Sequence, residues 1–176
     1  MGNLLSRCCF PGCTSCMVAI NCGVAVIPQG TTEIPAGAFR NCTGLTRVVF
    51  PPTLISIGDF AFVGCSGLAS VDLPPTLTSL GDGAFRDCSG LASVDLPPAL
   101  ASIGDRAFKG CSGLASVDLP PALTSIGDYT FRDCSNLPRP STADLRGICV
   151  GFQAFDGCNG SRRGRRAADH PTGRRG

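Results

Sequence analysis

The chain has 176 residues, the length of one ordinary domain, and its 43% apolar and 16% charged residues exclude a disordered polymer. Its net charge of +2 hides an asymmetry, because residues 159–176 carry six Arg and one Asp and leave −3 for the remainder. The longest apolar run, Met17 to Ile27, is about 11 residues, is broken by Asn21 and Gly23, and falls short of a membrane-spanning helix.

The first residues, Met1-Gly2-Asn3-Leu4-Leu5-Ser6, fit the pattern for N-myristoylation, with Gly2 as the acceptor once Met1 is removed. Cys8 and Cys9 follow directly, and a palmitoyl chain on either would supply the second anchor that one myristoyl chain lacks. Gly2, Cys8 and Cys9 are therefore candidate lipidation sites in a Cys-rich leader spanning 1–18. The same leader has two other readings. Cys13 and Cys16, with Cys8, Cys9 and Cys22, could offer thiolates to zinc, although no second Cys pair or nearby His supports this. Arg7 could open a signal segment, although Pro11 and Gly12 interrupt its apolar part. The bland alternative is a leader with idle thiols.

From about residue 19 to 158 the sequence repeats itself. Cys42, Cys65, Cys88, Cys111 and Cys134 recur every 23 residues, and Cys158 arrives one residue late. Residues 19–41 read as a degraded first coil that caps the array, with Ala25 and Ile27 on the strand phase and Ile34, Ala38 and Phe39 on the return. In a full unit, Leu68, Val71 and Leu73 keep the spacing of a short strand with Val71 and Leu73 on one side. Pro74-Pro75 ends the strand and fixes a corner, because Pro has no N–H for a ladder. Leu77 and Leu80 turn inward, Gly81 permits a bend, and Asp82 is placed to cap a short helical turn carrying Ala84 and Phe85. Stacked coils bring Leu45, Leu68, Leu91, Leu114 and Leu137 into one column and Val48, Val71, Val94 and Val117 into a second. Phe39, Phe62, Phe85, Phe108, Phe131 and Phe155 make a third. No coil buries enough by itself, so each depends on its neighbours.

These units resemble the BspA-like leucine-rich repeat family, in which a Leu-rich strand, a Pro corner, an Ile-Gly-Asp-x-Ala-Phe return and a Cys make 23 residues. The likeness is close over 43–134 and looser over 24–42 and 135–158. It implies an α/β right-handed solenoid of about six coils, with a parallel sheet on the concave face and turns or helical turns on the convex one. It further implies adhesion or protein binding, often at microbial cell surfaces, and no catalytic residues.

The outward strand positions are the candidate partner-binding face: Arg47 and Val49, then Ser70 and Asp72, Ser93 and Asp95, Ser116 and Asp118. Carboxylates about 5 Å apart repel one another and favour a basic partner, whereas the bland reading leaves each Asp merely solvated. A second column, Asp59, Asp82, Asp105 and Asp128, follows each bend and suits capping. The periodic Cys suit a buried reduced ladder better than a redox or metal role, since no His or acidic partner accompanies them. The only His, His170, lies in the tail, so the repeats hold no Ser-His or Cys-His pair and no enzyme is expected. No cofactor or metal is expected either. Nothing alternates basic with aromatic residues as a nucleic-acid platform does, which argues against that partner.

After Leu137 the pattern breaks at Pro138-Arg139-Pro140 and resumes at Val150, as in a C-terminal cap with one inserted residue. Residues 159–176, with Arg162, Arg163, Arg165, Arg166, Arg174 and Arg175, are expected to be a disordered tail that adds attraction to an anionic leaflet. The reading that emerges is a non-catalytic protein-binding scaffold over 19–158, tethered by its acyl chains to the cytoplasmic face of a membrane. Its alternative is a secreted or cell-surface adhesin.

Overall fold

The computed structural model describes residues 20–21 and 23–158. Each repeat makes one coil with two short strands, except the last, which keeps only the second. The first row of strands holds β2 (Val24–Val26), β4 (Arg47–Val49), β6 (Ser70–Asp72), β8 (Ser93–Asp95) and β10 (Ser116–Val117). The second holds β3 (Glu33–Ile34), β5 (Ser56–Ile57), β7 (Ser79–Leu80), β9 (Ser102–Ile103), β11 (Ser125–Ile126) and β12 (Cys149–Val150). Neighbours within a row pair in parallel and in register, as in Val71 with Val94 and Leu80 with Ile103. The second row is one continuous six-stranded sheet, whereas the first divides between β4 and β6.

The sequence dictates the corners. The carbonyl of the first Pro in each pair accepts the N–H of the Leu three residues on, at 3.0 Å for Leu77 on Pro74, which makes a turn with the second Pro at its favoured position. The inward columns of Leu, Val and Phe are buried from Leu45 to Leu137, from Val48 to Val94 and from Phe39 to Phe155. Val117 is only half-buried. The Phe rings stack nearly parallel, with centroids 4.9, 5.1, 5.5, 5.4 and 5.2 Å apart along the column.

The third side of the coil corrects the expected α/β character, for the described residues contain no helix. In the turn after Asp82, alternate amides bond differently. Gly83, Phe85 and Asp87 donate to Asp105, Ala107 and Lys109 of the following coil, whereas Ala84, Arg86 and Cys88 donate back to Gly81, Gly83 and Phe85. A helix would turn every N–H along its own axis. Here half the donors are committed to the next coil, and the backbone accommodates this by entering the left-handed region twice per turn. Those residues are Gly37 and Asn41, Phe60 and Gly64, Gly83 and Asp87, Arg106 and Gly110, Tyr129 and Asp133, Gln153 and Gly157. The molecule is thus a β-solenoid with a turn side.

The second Asp column caps no helix. Asp59, Asp82 and Asp105 each accept, through Oδ1, the backbone N–H of the next coil's Asp at 2.8 Å, and Asp128 accepts that of Phe152 at 2.6 Å. Each Cys thiol donates to the carbonyl of the preceding coil's Phe, from Cys65 on Phe39 at 3.0 Å to Cys158 on Phe131 at 3.2 Å. Burial pushes Cys65 and Cys134 up to about 12 and Cys158 up to about 11, and raises Cys88 and Cys111 well above the usual thiol range. These five thiols are reduced. Cys42 begins the column but is disulfide-bonded.

The two ends close differently. At the first, β1 (Ile20–Asn21) pairs antiparallel with β2 through a tight turn at Gly23, whose φ is 86°. A Cβ on Gly23 would lie 2.9 Å from the Gly44 carbonyl, so only glycine fits there. At the other, Ala92 and Ala115 each donate one coil back, to Ala69 at 2.9 Å and Ala92 at 3.0 Å, and the next residue in that phase is Pro138. Pro138 has no N–H, so the row stops at β10. The inserted residue lies between Leu137 and Cys149, since Leu137 follows Leu114 by 23 residues and Cys149 faces Ser125 across 24.

Candidate binding face

All eight residues expected on the partner-binding face are exposed, and the ladder register aligns them. Ser93 pairs with both Ser70 and Ser116, and Asp72 pairs with Asp95. Arg47 and Val49 sit on β4 opposite Val24 and Val26, and Asp118 follows directly after β10. They form two columns because strand residues two apart point the same way while the inward Val between them enters the core. The outer column changes character along the array, from Val26 and Val49, 53% and 40% exposed, to Asp72, Asp95 and Asp118.

Little holds these side chains in place. Arg47 reaches Asp72 at 3.8 Å, with both side chains more than 60% exposed, a pair of small energetic weight in water. The face therefore presents carboxylates and hydroxyls that no core contact consumes. At its far end, where the Pro residues stop the row, a cleft of about 650 Å³ opens between Val117, Asp118, Pro138, Pro140 and Phe155.

The turn side carries a column that the sequence reading missed. Arg40, Val63, Arg86, Lys109 and Arg132 keep the 23-residue spacing on the opposite side of the chain's inward Phe. Arg86 and Arg132 contact the Asp that follows each, at 3.1 and 3.7 Å. The guanidinium groups of Arg106 and Arg132 lie over the Tyr129 ring, 5.4 and 5.2 Å from its centroid, and the ring meets Phe152 edge-on at 5.6 Å. The signal was a basic residue two before four of the six periodic Cys, obscured by the Asp that alternates with Gly beside it.

No group of His, Cys, Asp or Glu among the described residues has the arrangement to hold a metal ion. Gly2, Cys8, Cys9 and the Arg-rich tail lie outside the described residues. No helix among the described residues is long and apolar enough to cross a membrane.

Known proteins place this architecture. The family profile described as BspA type leucine rich repeat region matches residues 15–138 in six copies. No curated protein matches the sequence. The structure resembles a leucine rich repeat protein of T. pallidum, with a TM-score of 0.66 and 27% identity over 77% of this chain and 76% of that one. A leucine-rich repeat protein from Bacteroides ovatus gives 0.54 and 28% identity over 77% of this chain and 41% of that one. A leucine rich cell surface protein from Faecalibacterium prausnitzii shares the fold, with 0.52 and 24% identity over 78% and 47%. This chain thus spans less than half the length of the last two. Its final coil continues the solenoid beyond residue 138, where the family match ends.

Proposed function

This chain belongs to the BspA type leucine-rich repeat family, and from that premise we propose that it is a non-catalytic scaffold that binds a protein partner through its first strand row. The observation that carries the reading is the separation of duties along β4, β6, β8 and β10. Val48, Val71 and Val94 serve the core, whereas Arg47, Asp72, Asp95 and Asp118 face solvent. A rigid ladder displaying repeated carboxylates favours a partner with a matching basic surface. Reversing Asp72, Asp95 and Asp118 to Lys tests this. Partner retention on the immobilised chain should fall at least tenfold with the circular dichroism spectrum unchanged, and undiminished retention would return the three residues to simple solvation.

Display outside the cell is the setting we favour, because the family likeness implies surface use and the F. prausnitzii protein of the same fold is a cell surface protein. A second reading rests on Met1-Gly2-Asn3-Leu4-Leu5-Ser6 with Cys8 and Cys9, which suit myristoyl and palmitoyl chains and an inner leaflet. An intact-mass spectrum of protein from its native cells separates the two. A mass beginning at residue 17 or later supports export, whereas a myristoyl mass on Gly2 with a hydroxylamine-sensitive palmitoyl mass supports the tether.

A further inference from the structure

Two columns on different sides of the solenoid match each other coil by coil. The outer strand column reads Val49, Asp72, Asp95, Asp118, and the turn-side column reads Val63, Arg86, Lys109, Arg132. Where one is apolar so is the other, and where one is acidic the other is basic. The match fails at the two ends, in the first coil, where Val26 corresponds to Arg40 beside the β1–β2 hairpin, and in the last, where the turn side has Asp156 and the first strand row has already stopped. No contact among the described residues uses the correspondence, because their three ion pairs join Arg47 to Asp72, Arg86 to Asp87 and Arg132 to Asp133, and none links the two columns.

We propose that the strand face of one copy docks in register on the turn side of a second copy, setting Val49 against Val63, Asp72 against Arg86, Asp95 against Lys109 and Asp118 against Arg132. Both columns advance by one coil per step, so a single alignment satisfies all four contacts together. Strand face against strand face would oppose Asp to Asp, and turn side against turn side would oppose Arg to Arg. Charge therefore selects the heterologous contact, which leaves a free strand face and a free turn side for further copies. Arg86 and Arg132 keep charge available for this, since their side chains remain 38% and 37% exposed beside the neighbouring Asp. Contacts between exposed charges are individually weak and screened by salt, so assembly should be reversible and confined to low ionic strength. The inference rests on the reading of the strand face as a binding surface and names one occupant of it.

Sedimentation velocity of the full chain over a concentration series tests it. At low salt the wild type should form species larger than a monomer, and at high salt it should not. The variant D72K/D95K/D118K and the variant R86D/K109D/R132D should each stay monomeric, whereas their mixture should assemble, because each then presents to the other the complement that it denies itself. If the turn-side triple variant loses its fold by circular dichroism, D95K and K109D give the same pattern at smaller amplitude. A wild type monomeric at every concentration, a reversed strand face that still assembles, or a mixture that does not would each overturn the proposal. Loss of partner retention in the strand-face variant of a monomeric wild type would sink self-docking alone. Retention unchanged in that case would sink the binding-face reading as well.

Discussion

The strand side and the turn side both tie coil to coil, yet they use the backbone differently. In the strand rows the parallel ladder runs donors both ways between coils, as when Gly81 N–H meets the carbonyl of the earlier Ile57 at 2.8 Å and Ile27 N–H meets that of the later Val49 at 2.9 Å. On the turn side the earlier coil donates to the later, as when Phe62 N–H meets the Ala84 carbonyl at 2.8 Å. Strands reach their neighbour with ordinary extended dihedrals, whereas the turn side reaches its neighbour only by placing two residues per coil in the left-handed region. Side chains reinforce the turn side through the Asp ladder and the thiol bonds to Phe carbonyls. The strand face is asked for no such reinforcement from its outward residues, and those residues are accordingly available to a partner.

Removing a turn-side ring should do the most damage. Phe85→Ala takes away a buried ring stacked on Phe62 and Phe108 and should cost about 3–5 kcal/mol, read as a shift in the denaturation midpoint. Val94→Ala on the strand side should cost about 2 kcal/mol. A larger loss at Val94 would show that the strand rows dominate.

The thiol column makes the turn side sensitive to alkali. Burial raises the Cys65 and Cys134 pKa to about 12 in the folded chain from a value of 9.0, so their contribution is fully present below pH 9 and declines as the pH rises toward 12. Stability measured by denaturation should fall over that window. Native alkylation should modify exposed Cys149 first among the described thiols and Cys88 and Cys111 only on unfolding. A flat profile to pH 11 would contradict the account.

A smaller loss is expected in the Asp ladder. Asp105→Ala leaves the Asp128 N–H without its acceptor and should cost about 1 kcal/mol, whereas Asp105→Asn keeps an oxygen in place and should cost less than half of that. Equal losses would mean that charge, rather than the acceptor, matters. The smallest change is a gain. Gln153 holds a φ of 48° at an exposed position, so Gln153→Gly should stabilise the chain by about 0.5–1 kcal/mol.

The columns of Leu, Val, Phe and Cys were legible in the sequence because a 23-residue period superposed on strand alternation leaves no choice of inward residue. The Pro corner was legible because Pro lacks an N–H, and the same property at Pro138 explains the end of the first row. The turn side was not legible in full. Ile-Gly-Asp-x-Ala-Phe has the composition of a capped helical start, and composition does not reveal that alternate amides are bonded to another coil. A signal was present in the residue before each Cys, which is Asn41, Gly64, Asp87, Gly110, Asp133 or Gly157. These residue types tolerate the left-handed region best. The candidate face followed from alternation alone, but its match to the turn-side column required the coils to be stacked.

Hydrogen exchange on the full chain, read amide by amide, is the measurement that bears most directly on a scaffold held on both sides. The amides of Phe62, Phe85 and Phe108, which donate to the following coil, should be protected to the same degree as those of Val71 and Val94 in the strands. Turn-side amides that exchange at loop rates while the strands remain protected would contradict the account, and would reduce the turn side to a cover over a single-sided ladder.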